Sequence, residues 1–252
     1  RLFGIDYFDS ILLSGDYQKK DIITLEKQRN LPQKELVTVG CPYLDVLAQK
    51  IAQIPKEDNQ NFTVLISPSW GASALLSLYG EKLLDPLSKT NWNIIIRPHP
   101  QSKKSEAEML TRLQERYKDN KNITWDFERD NIYSMKKSDI MISDFSGIIF
   151  DYTFLCDKPV MYVKASMDFR PYDAYDINEG KETWTFTTLE KIGIELKEEE
   201  FQNIENIIKS ASDSTELATA RKIAKEEAWM NINESGKLIA DFMIKKLEIL
   251  NK

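Results

Sequence analysis

The stretch "DIMISDFSGIIFDYTFLCDKPVMYV", residues 139–163, reads as a complete strand, helix and strand. "DIMISD" (139–144) is apolar, rich in β-formers and too short for a helix, and "PVMYV" (159–163) has the same character. Between them residues 146–156 carry helix-type spacing, with Ser146 or a neighbour placed to cap the first turn. Two like strands joined by one helix run in the same direction, so this unit predicts a parallel sheet with helices packed on it.

Outward from that unit the pattern repeats. "SILLS" (10–14), "LVTVG" (36–40), "FTVLISP" (62–68) and "NIIIRP" (93–98) are strand candidates, "NITW" (122–125) adds another, and residues 72–88 and 104–118 carry helical spacing. The fold class predicted is α/β, a Rossmann-like parallel sheet. After Val163 comes a polar, Tyr- and Asp-rich stretch, "KASMDFRPYDAYDINEGKETW" (164–184), long for a connector and therefore expected to be a functional or covering loop. From Thr187 onward the chain reads as helices with one apolar face. The last, about 234–250, sets Leu238, Ile239, Phe242, Leu247 and Leu250 near one side, a stripe expected to pack on the protein itself.

Composition narrows the class. A chain of 252 residues can bury a full core without staples. Its 34 Lys plus Arg stand against 40 Asp plus Glu, a net charge of −6 without long like-charge blocks, which argues against a general nucleic-acid binder. Cys41 and Cys156 show no metal-ligand spacing and read as reduced structural thiols of a cytoplasmic protein. No apolar run reaches the roughly 20 residues that span a bilayer. The opening "RLFGIDYFDSILLSG" (1–15) reads like the interior of a domain, so the chain is expected to be part of a longer protein.

In an open parallel sheet ligands gather beyond the carboxyl ends of the strands. "SPSWG" (67–71), "RPHP" (97–100), "SDFSG" (143–147) and the Tyr/Asp stretch all fall there. In "SDFSG" a strand leads through Ser143 and Asp144 into a helix starting near Ser146, and Gly147 leaves its amide unobstructed; free amides and the helix dipole make an anion site. Plain helix capping is the structural reading of the same residues. His99 is the sole histidine, held between Pro98 and Pro100, with the permanent cation Arg97 beside it. It can donate to a phosphate oxygen or exchange a proton near neutral pH, where a lone histidine with no role would sit on the surface or in packing.

"RPHP" followed some forty residues later by the 139–163 stretch resembles the donor half of the CDP-glycerol glycerophosphotransferase family, the teichoic-acid primases and polymerases. "ISPSWG" (66–71), "VGCPYLD" (39–45) and "NINESGKLIADFM" (231–243) are similar to further stretches of that family, and the likeness is most specific over 93–163. The resemblance implies the C-terminal domain of a GT-B architecture with a remnant of the N-terminal domain. Residues 1–55 would be the tail of the acceptor-side domain and crossover, 56–230 the nucleotide-donor domain and 231–252 a returning helix.

It further implies a donor of CDP-glycerol or a related CDP-polyol, a polymeric or lipid-linked acceptor hydroxyl and release of CMP, with no cofactor and no metal. The place implied is cytoplasmic, at the inner face of the membrane by peripheral association. By motif, His99 would contact the pyrophosphate and stabilise the departing CMP; Ser143, Asp144, Ser146 and Gly147 would lie at the phosphates and ribose, with Arg97 nearby; Ser69 and Trp70 would line the nucleotide side. Three departures stand out. Gly147 replaces a second serine, Tyr43 stands where a basic residue is common, and "YDINEGKETW" (175–184) replaces an acidic segment ending in Pro-Gly. The family's other functional histidine has no counterpart here, so the chain is expected to bind donor and turn over little. A nucleotide-sugar glycosyltransferase or 2-epimerase of the same fold, and a non-catalytic nucleotide-binding module, are the alternatives.

Overall fold

The computed structural model describes residues 4–55, 61–164, 174–177 and 183–251. The chain divides into two compact units, one built from segments 1–49, 168–189 and 222–252, the other from 50–167 and 190–221.

The second unit holds a sheet of six strands: β3 (Thr63–Ile66), β4 (Asn93–Ile96), β5 (Ile123–Trp125), β6 (Ile140–Ser143), β7 (Val160–Tyr162) and β8 (Gly193–Glu195). Their order is β5-β4-β3-β6-β7-β8, and every pair is parallel. The chain runs outward from β3 to β5, crosses back through the helix Ile132–Lys137, and runs outward again from β6. The order therefore reverses between β3 and β6, the topological switch point at which doubly wound sheets take ligands.

Side-chain alternation fixes the register. Val64 and Ile66, Ile94 and Ile96, Ile140 and Ile142, and Met161 share one face with Leu75, Leu76, Leu83, Leu84 and Leu87 of the helix Leu75–Leu87. Leu110, Leu113, Ile204 and Ile208 close the same core. β3 and β6 are buried along their whole length, whereas β5, at the edge, is only half-buried. Each buried Leu or Ile there contributes roughly 1.5–3 kcal/mol, so the central strands are the least movable platform the unit has.

Seven strands lie where the sequence places them, trimmed at their ends. β8 escapes the pattern because it is only three residues, one of them glycine. A Cβ on Gly193 would stand 3.0 Å from Val160 Cγ2 and 3.1 Å from the Val160 carbonyl, so the close approach of β8 to β7 selects glycine over a β-former. The predicted helix 104–118 is broken at Glu106 into Ser102–Ser105 and Ala107–Arg116. The helix Ile148–Cys156 starts one turn's edge later than expected, with Gly147 at the N-cap and no side-chain cap from Ser146. Most of the Tyr/Asp stretch, 165–173 and 178–182, lies outside the described residues.

The first unit holds the parallel pair β1 (Ser10–Leu13) and β2 (Glu35–Thr38), in register from Ser10 opposite Glu35 to Leu13 opposite Thr38. Its organising contact joins two stretches far apart in sequence. Asp45, in "VGCPYLD", accepts hydrogen bonds from Trp229 Nε1 and the Asn233 amide, each at 2.9 Å, and from the Ser235 hydroxyl. The carboxylate so fastens the start of the helix Ser235–Leu250, whose own N-cap residue, Glu234, supplies no side-chain bond. Burial alone would raise the Asp45 pKa; the bonds from Ser235, Asn233 and Trp229 outweigh it and hold the carboxyl below its ordinary value. Gly40 belongs to the same clasp: its φ is +90°, and a Cβ there would lie 2.2 Å from the Met230 carbonyl. The final helix corrects one expectation. Leu238, Ile239 and Phe242 are half-buried, but Leu247 is 55% exposed together with Met243, Ile244 and Ile249, so the packed stripe is narrower than the sequence implies. Among the described residues no helix is long and apolar enough to cross a membrane.

Candidate functional site

Every residue singled out as a ligand contact lies in the second unit, at the carboxyl ends of β3, β4 and β6 or in the loops that follow. β4 and β6 flank β3. With neighbouring strands about 4.8 Å apart, the loops after β4 and β6 start about 10 Å from one another, a span that a nucleotide diphosphate bridges.

The loop after β6 opens into the helix Ile148–Cys156. Ile149 and Phe150 donate their amides back to the carbonyls of Ser146 and Gly147, at 3.2 and 3.0 Å, which closes the first turn. Within the described residues the amides of Ser146, Gly147 and Ile148 make no hydrogen bond. Gly147 is exposed, and a Cβ on it would meet nothing within 4 Å. Three donors without a partner at the positive end of a helix make an anion receptor.

His99 follows β4 and is half-exposed, so the ring is not sealed in hydrocarbon. Its Nδ1 accepts the Gln101 amide at 3.1 Å, which assigns the ring proton to Nε2. The side chain is thereby set as an Nε2–H donor, its carbonyl meanwhile accepting the Ser102 amide at 2.9 Å. The ring stacks on Trp70 from the loop after β3, with centroids 6.2 Å apart and planes inclined by 29°. Trp70 is 49% exposed, leaving a large part of the indole open to solvent.

The other candidates have inward partners. The Ser143 hydroxyl donates to the Ser67 carbonyl at 2.5 Å, and Ser143 is fully buried. Asp144 is 1% exposed; its carboxylate accepts the Ser69 amide at 3.0 Å and the Leu75 amide at 2.9 Å. Ser69 is buried, and its hydroxyl oxygen has no hydrogen-bond partner among the described residues. Arg97 directs its guanidinium to Asp126 at 2.5 Å and to the Glu128 carbonyl at 2.6 Å, with its side chain 11% exposed. Asp126 also accepts the Ser134 hydroxyl and the Glu128 amide. Burial pushes the Asp126 pKa up, and the bonds from Ser134, Glu128 and Arg97 more than reverse that, leaving it below its ordinary value. Arg97 thus pins the loop after β5, and its charge is matched by Asp126. Sequence reasoning had no means to find Gln101, Leu75 or Asp126 as partners: an amide leaves no residue-type signal, and Asp126 lies 29 positions from Arg97.

The structure brings Trp70 and His99 together, and ties the loop after β3 to the end of β6 through Ser143 and Asp144; of the candidates, Trp70, His99, Ser146 and Gly147 are the ones left accessible. A cavity of about 930 Å³ lies elsewhere in this unit. It is lined by Asn93, Ile95, Thr124, Lys136 and Lys158 among others, with Asp126, Glu128 and Ser134, the residues around the Arg97 ion pair, but by none of the candidate ligand contacts. Ile95 and Thr124, paired across β4 and β5, point to the face opposite the Leu75–Leu87 helix. Lys158 is spent there on the carbonyls of Lys136, Met135 and Ser138, and burial lowers its pKa. Among the described residues no three His, Cys, Asp or Glu side chains converge as a metal site would need.

Comparison with known proteins completes the picture. The profile of the family described as CDP-Glycerol:Poly(glycerophosphate) glycerophosphotransferase matches residues 7–176. Among solved structures, the wall teichoic acid polymerase TagF is similar at 16% identity and a TM-score of 0.54, over 97% of this chain and 59% of its own. The UDP-GlcNAc 2-epimerase from Neisseria meningitidis, bound to UDP-GlcNAc, matches at 14% identity and 0.54, over 94% of this chain and 61% of its own. Sucrose-phosphate synthase from Thermosynechococcus elongatus matches at 12% and 0.53, over 98% and 60%. These likenesses establish the α/β fold with a parallel sheet, of the kind found in GT-B glycosyltransferases. The chain spans about three-fifths of the length of those structures. No curated protein sequence matches it.

Proposed function

The chain belongs to the CDP-glycerol:poly(glycerophosphate) glycerophosphotransferase family, and from that premise we propose that it binds the CDP-activated polyol donor in a transfer of glycerol phosphate, or a related polyol phosphate, to an acceptor hydroxyl. In that reaction the acceptor oxygen bonds to the phosphorus that carries the polyol. The bond from that phosphorus to the bridging oxygen breaks, CMP leaves with the electron pair, and the hydroxyl proton passes to a base. The acceptor is a polymer or lipid-linked primer, reached at the inner face of the membrane.

One observation carries the reading: a donor imidazole and the three free amides of a helix amino end occur on the loops after β4 and β6, the two strands that flank β3. The amides of Ser146, Gly147 and Ile148 receive the phosphate oxygens. His99, kept as an Nε2–H donor by Gln101, supports the negative charge that develops on the departing CMP. The exposed face of Trp70 offers the base a surface to stack on, with Ser69 beside it. Phosphoryl transfer asks mainly for such positioning and charge neutralisation.

The test is a thermal-shift panel of CDP-glycerol, CDP-ribitol, CDP, UDP-GlcNAc and GDP-mannose. A ligand at 100 times its Kd stabilises by about 2.7 kcal/mol, so CDP-polyols should raise the melting temperature and the UDP and GDP sugars should not. Selective binding of UDP-GlcNAc would instead move the chain to the nucleotide-sugar alternative, and silence across the panel would refute nucleotide binding.

A further inference from the structure

Asp144 sits in the middle of the phosphate-loop motif, where a carboxylate is the least suitable neighbour for a diphosphate. Two anions a few ångströms apart repel, and desolvation strengthens the repulsion. The geometry resolves that conflict. The Asp144 carboxylate is 1% exposed and turned away from solvent, with one oxygen 3.0 Å from the Ser69 amide and the other 2.9 Å from the Leu75 amide. The first of these amides immediately precedes Trp70. The second is the first amide of the helix Leu75–Leu87, one of the four at a helix start that have no partner within the helix. We propose that Asp144 is a positioning residue of the donor site: from β6 it holds the 67–74 loop of β3 at both ends, and so sets Trp70 and its stack on His99 against the free amides at Ser146–Ile148.

Three further observations support the proposal. The brace runs alongside two other links between the same strand ends, Ser67 amide to Ile142 carbonyl at 3.0 Å and Ser143 hydroxyl to Ser67 carbonyl at 2.5 Å, so the loop is anchored to β6 at its start as well. Between the two braced amides backbone bonds are local: a Cβ on Gly71, at φ +98°, would meet nothing within 4 Å, and the Ala74 amide donates to the Gly71 carbonyl at 3.1 Å. Finally, a carboxylate that accepts two backbone amides is oriented rigidly, because both of its oxygens are committed. Asp144 thus joins the end of β6 to the loop after β3 through both of its oxygens. The loop after β4 is tied to the loop after β3 through the Trp70–His99 stack, and the latter to β6 through Asp144.

This inference rests on the donor-site reading for its consequence but not for its geometry, and the experiment separates the two. Amide exchange is measured residue by residue on the ligand-free chain for wild type, Asp144→Ala and Asp144→Asn, together with the ¹⁹F spectrum of 5-fluorotryptophan protein, in which Trp70→Phe identifies the Trp70 line. In Asp144→Ala the Ser69 and Leu75 amides should lose at least tenfold in protection while Val64 and Leu65 in β3 keep theirs, and the Trp70 line should shift. Asp144→Asn retains one acceptor and should lose less. CDP-glycerol affinity, titrated in parallel, should fall in the same order, tenfold or more for the alanine variant. Unchanged exchange and an unmoved Trp70 line in a folded Asp144→Ala protein overturn the proposal, as does loss of CDP-glycerol binding with both amides still protected, which makes Asp144 a direct ligand contact. If wild type binds no CDP-polyol, the donor reading fails, while the exchange and ¹⁹F results still decide whether Asp144 sets the loop.

Discussion

Replacing Asp45 by alanine removes the acceptor from three donors at once: the Trp229 indole, the Asn233 amide and the Ser235 hydroxyl. Asn233 is exposed and its amide regains water. Trp229 and Ser235 are 2% and 0% exposed, and their donors do not. A buried donor left without a partner costs about 1–3 kcal/mol, so the two together cost about 2–6 kcal/mol, offset in part by relief of the buried carboxylate. A net loss of about 3 kcal/mol lowers the melting temperature of a chain of this size by about 6–12 °C. Asp45→Asn keeps one acceptor oxygen and should lose about half as much. The pH dependence has a definite sign. The folded pKa lies below the unfolded value, so the contribution is fully present above about pH 4, the unfolded carboxyl value. It is lost as pH falls through the folded value. Melting curves of wild type and Asp45→Asn should therefore be well separated at pH 7 and draw together in acid. An alanine variant melting within 2 °C of wild type, or a wild-type advantage that grows in acid, would show that the clasp does not hold the helix Ser235–Leu250.

Three further outcomes are expected. Gly147→Ser has open space for its side chain and an ordinary helical φ of −59°, so stability should hold or rise by a few tenths of a kcal/mol while CDP-glycerol binds more tightly through the added hydroxyl; a clear drop in melting temperature would contradict the geometry. His99→Ala should weaken donor binding by about 10- to 100-fold, the worth of a hydrogen bond to a charged group, with Gln in its place recovering part as an alternative N–H donor; calorimetric titration of the three proteins decides. Arg97→Ala leaves Asp126 with only its bonds from Ser134 and Glu128 and should cost about 1–3 kcal/mol, seen as a lower urea midpoint; an unchanged midpoint together with lost donor affinity would make Arg97 a phosphate contact instead.

What was readable in the chain divides along a physical line. The βαβ unit of 139–163 and the triple isoleucine of 94–96 declare themselves because buried parallel strands are apolar on both faces, and such runs stand out against their flanking turns. The strand order, by contrast, depends on which strands meet, and no local pattern records that β6 returns beside β3 rather than beyond β5. β8 was lost for a sharper reason: its glycine is demanded by Val160 on the neighbouring strand, so tertiary contact overrode β-propensity. The exposed Leu247 shows the same limit from the other side, since a helical stripe gives the direction of an apolar face but not how much of it a neighbour covers.

The motifs of the candidate site are legible in the sequence, and the partners of their side chains are not. By motif, Arg97 and Asp144 stand as ligand contacts alongside Gly147 and Trp70. A strand end in a packed domain imposes a prior demand: each buried amide and each desolvated charge must first find a partner inside the fold. Arg97 meets Asp126, Ser143 meets Ser67, and Asp144 meets Ser69 and Leu75, all at hydrogen-bonding distance and all nearly sealed from water. After those demands are met, what remains accessible is the imidazole with its proton turned to Nε2, the half-open indole and the amides around Gly147. The strongest charges in the motifs are thus used to fix the backbone, and the donors left open are ring and backbone N–H groups.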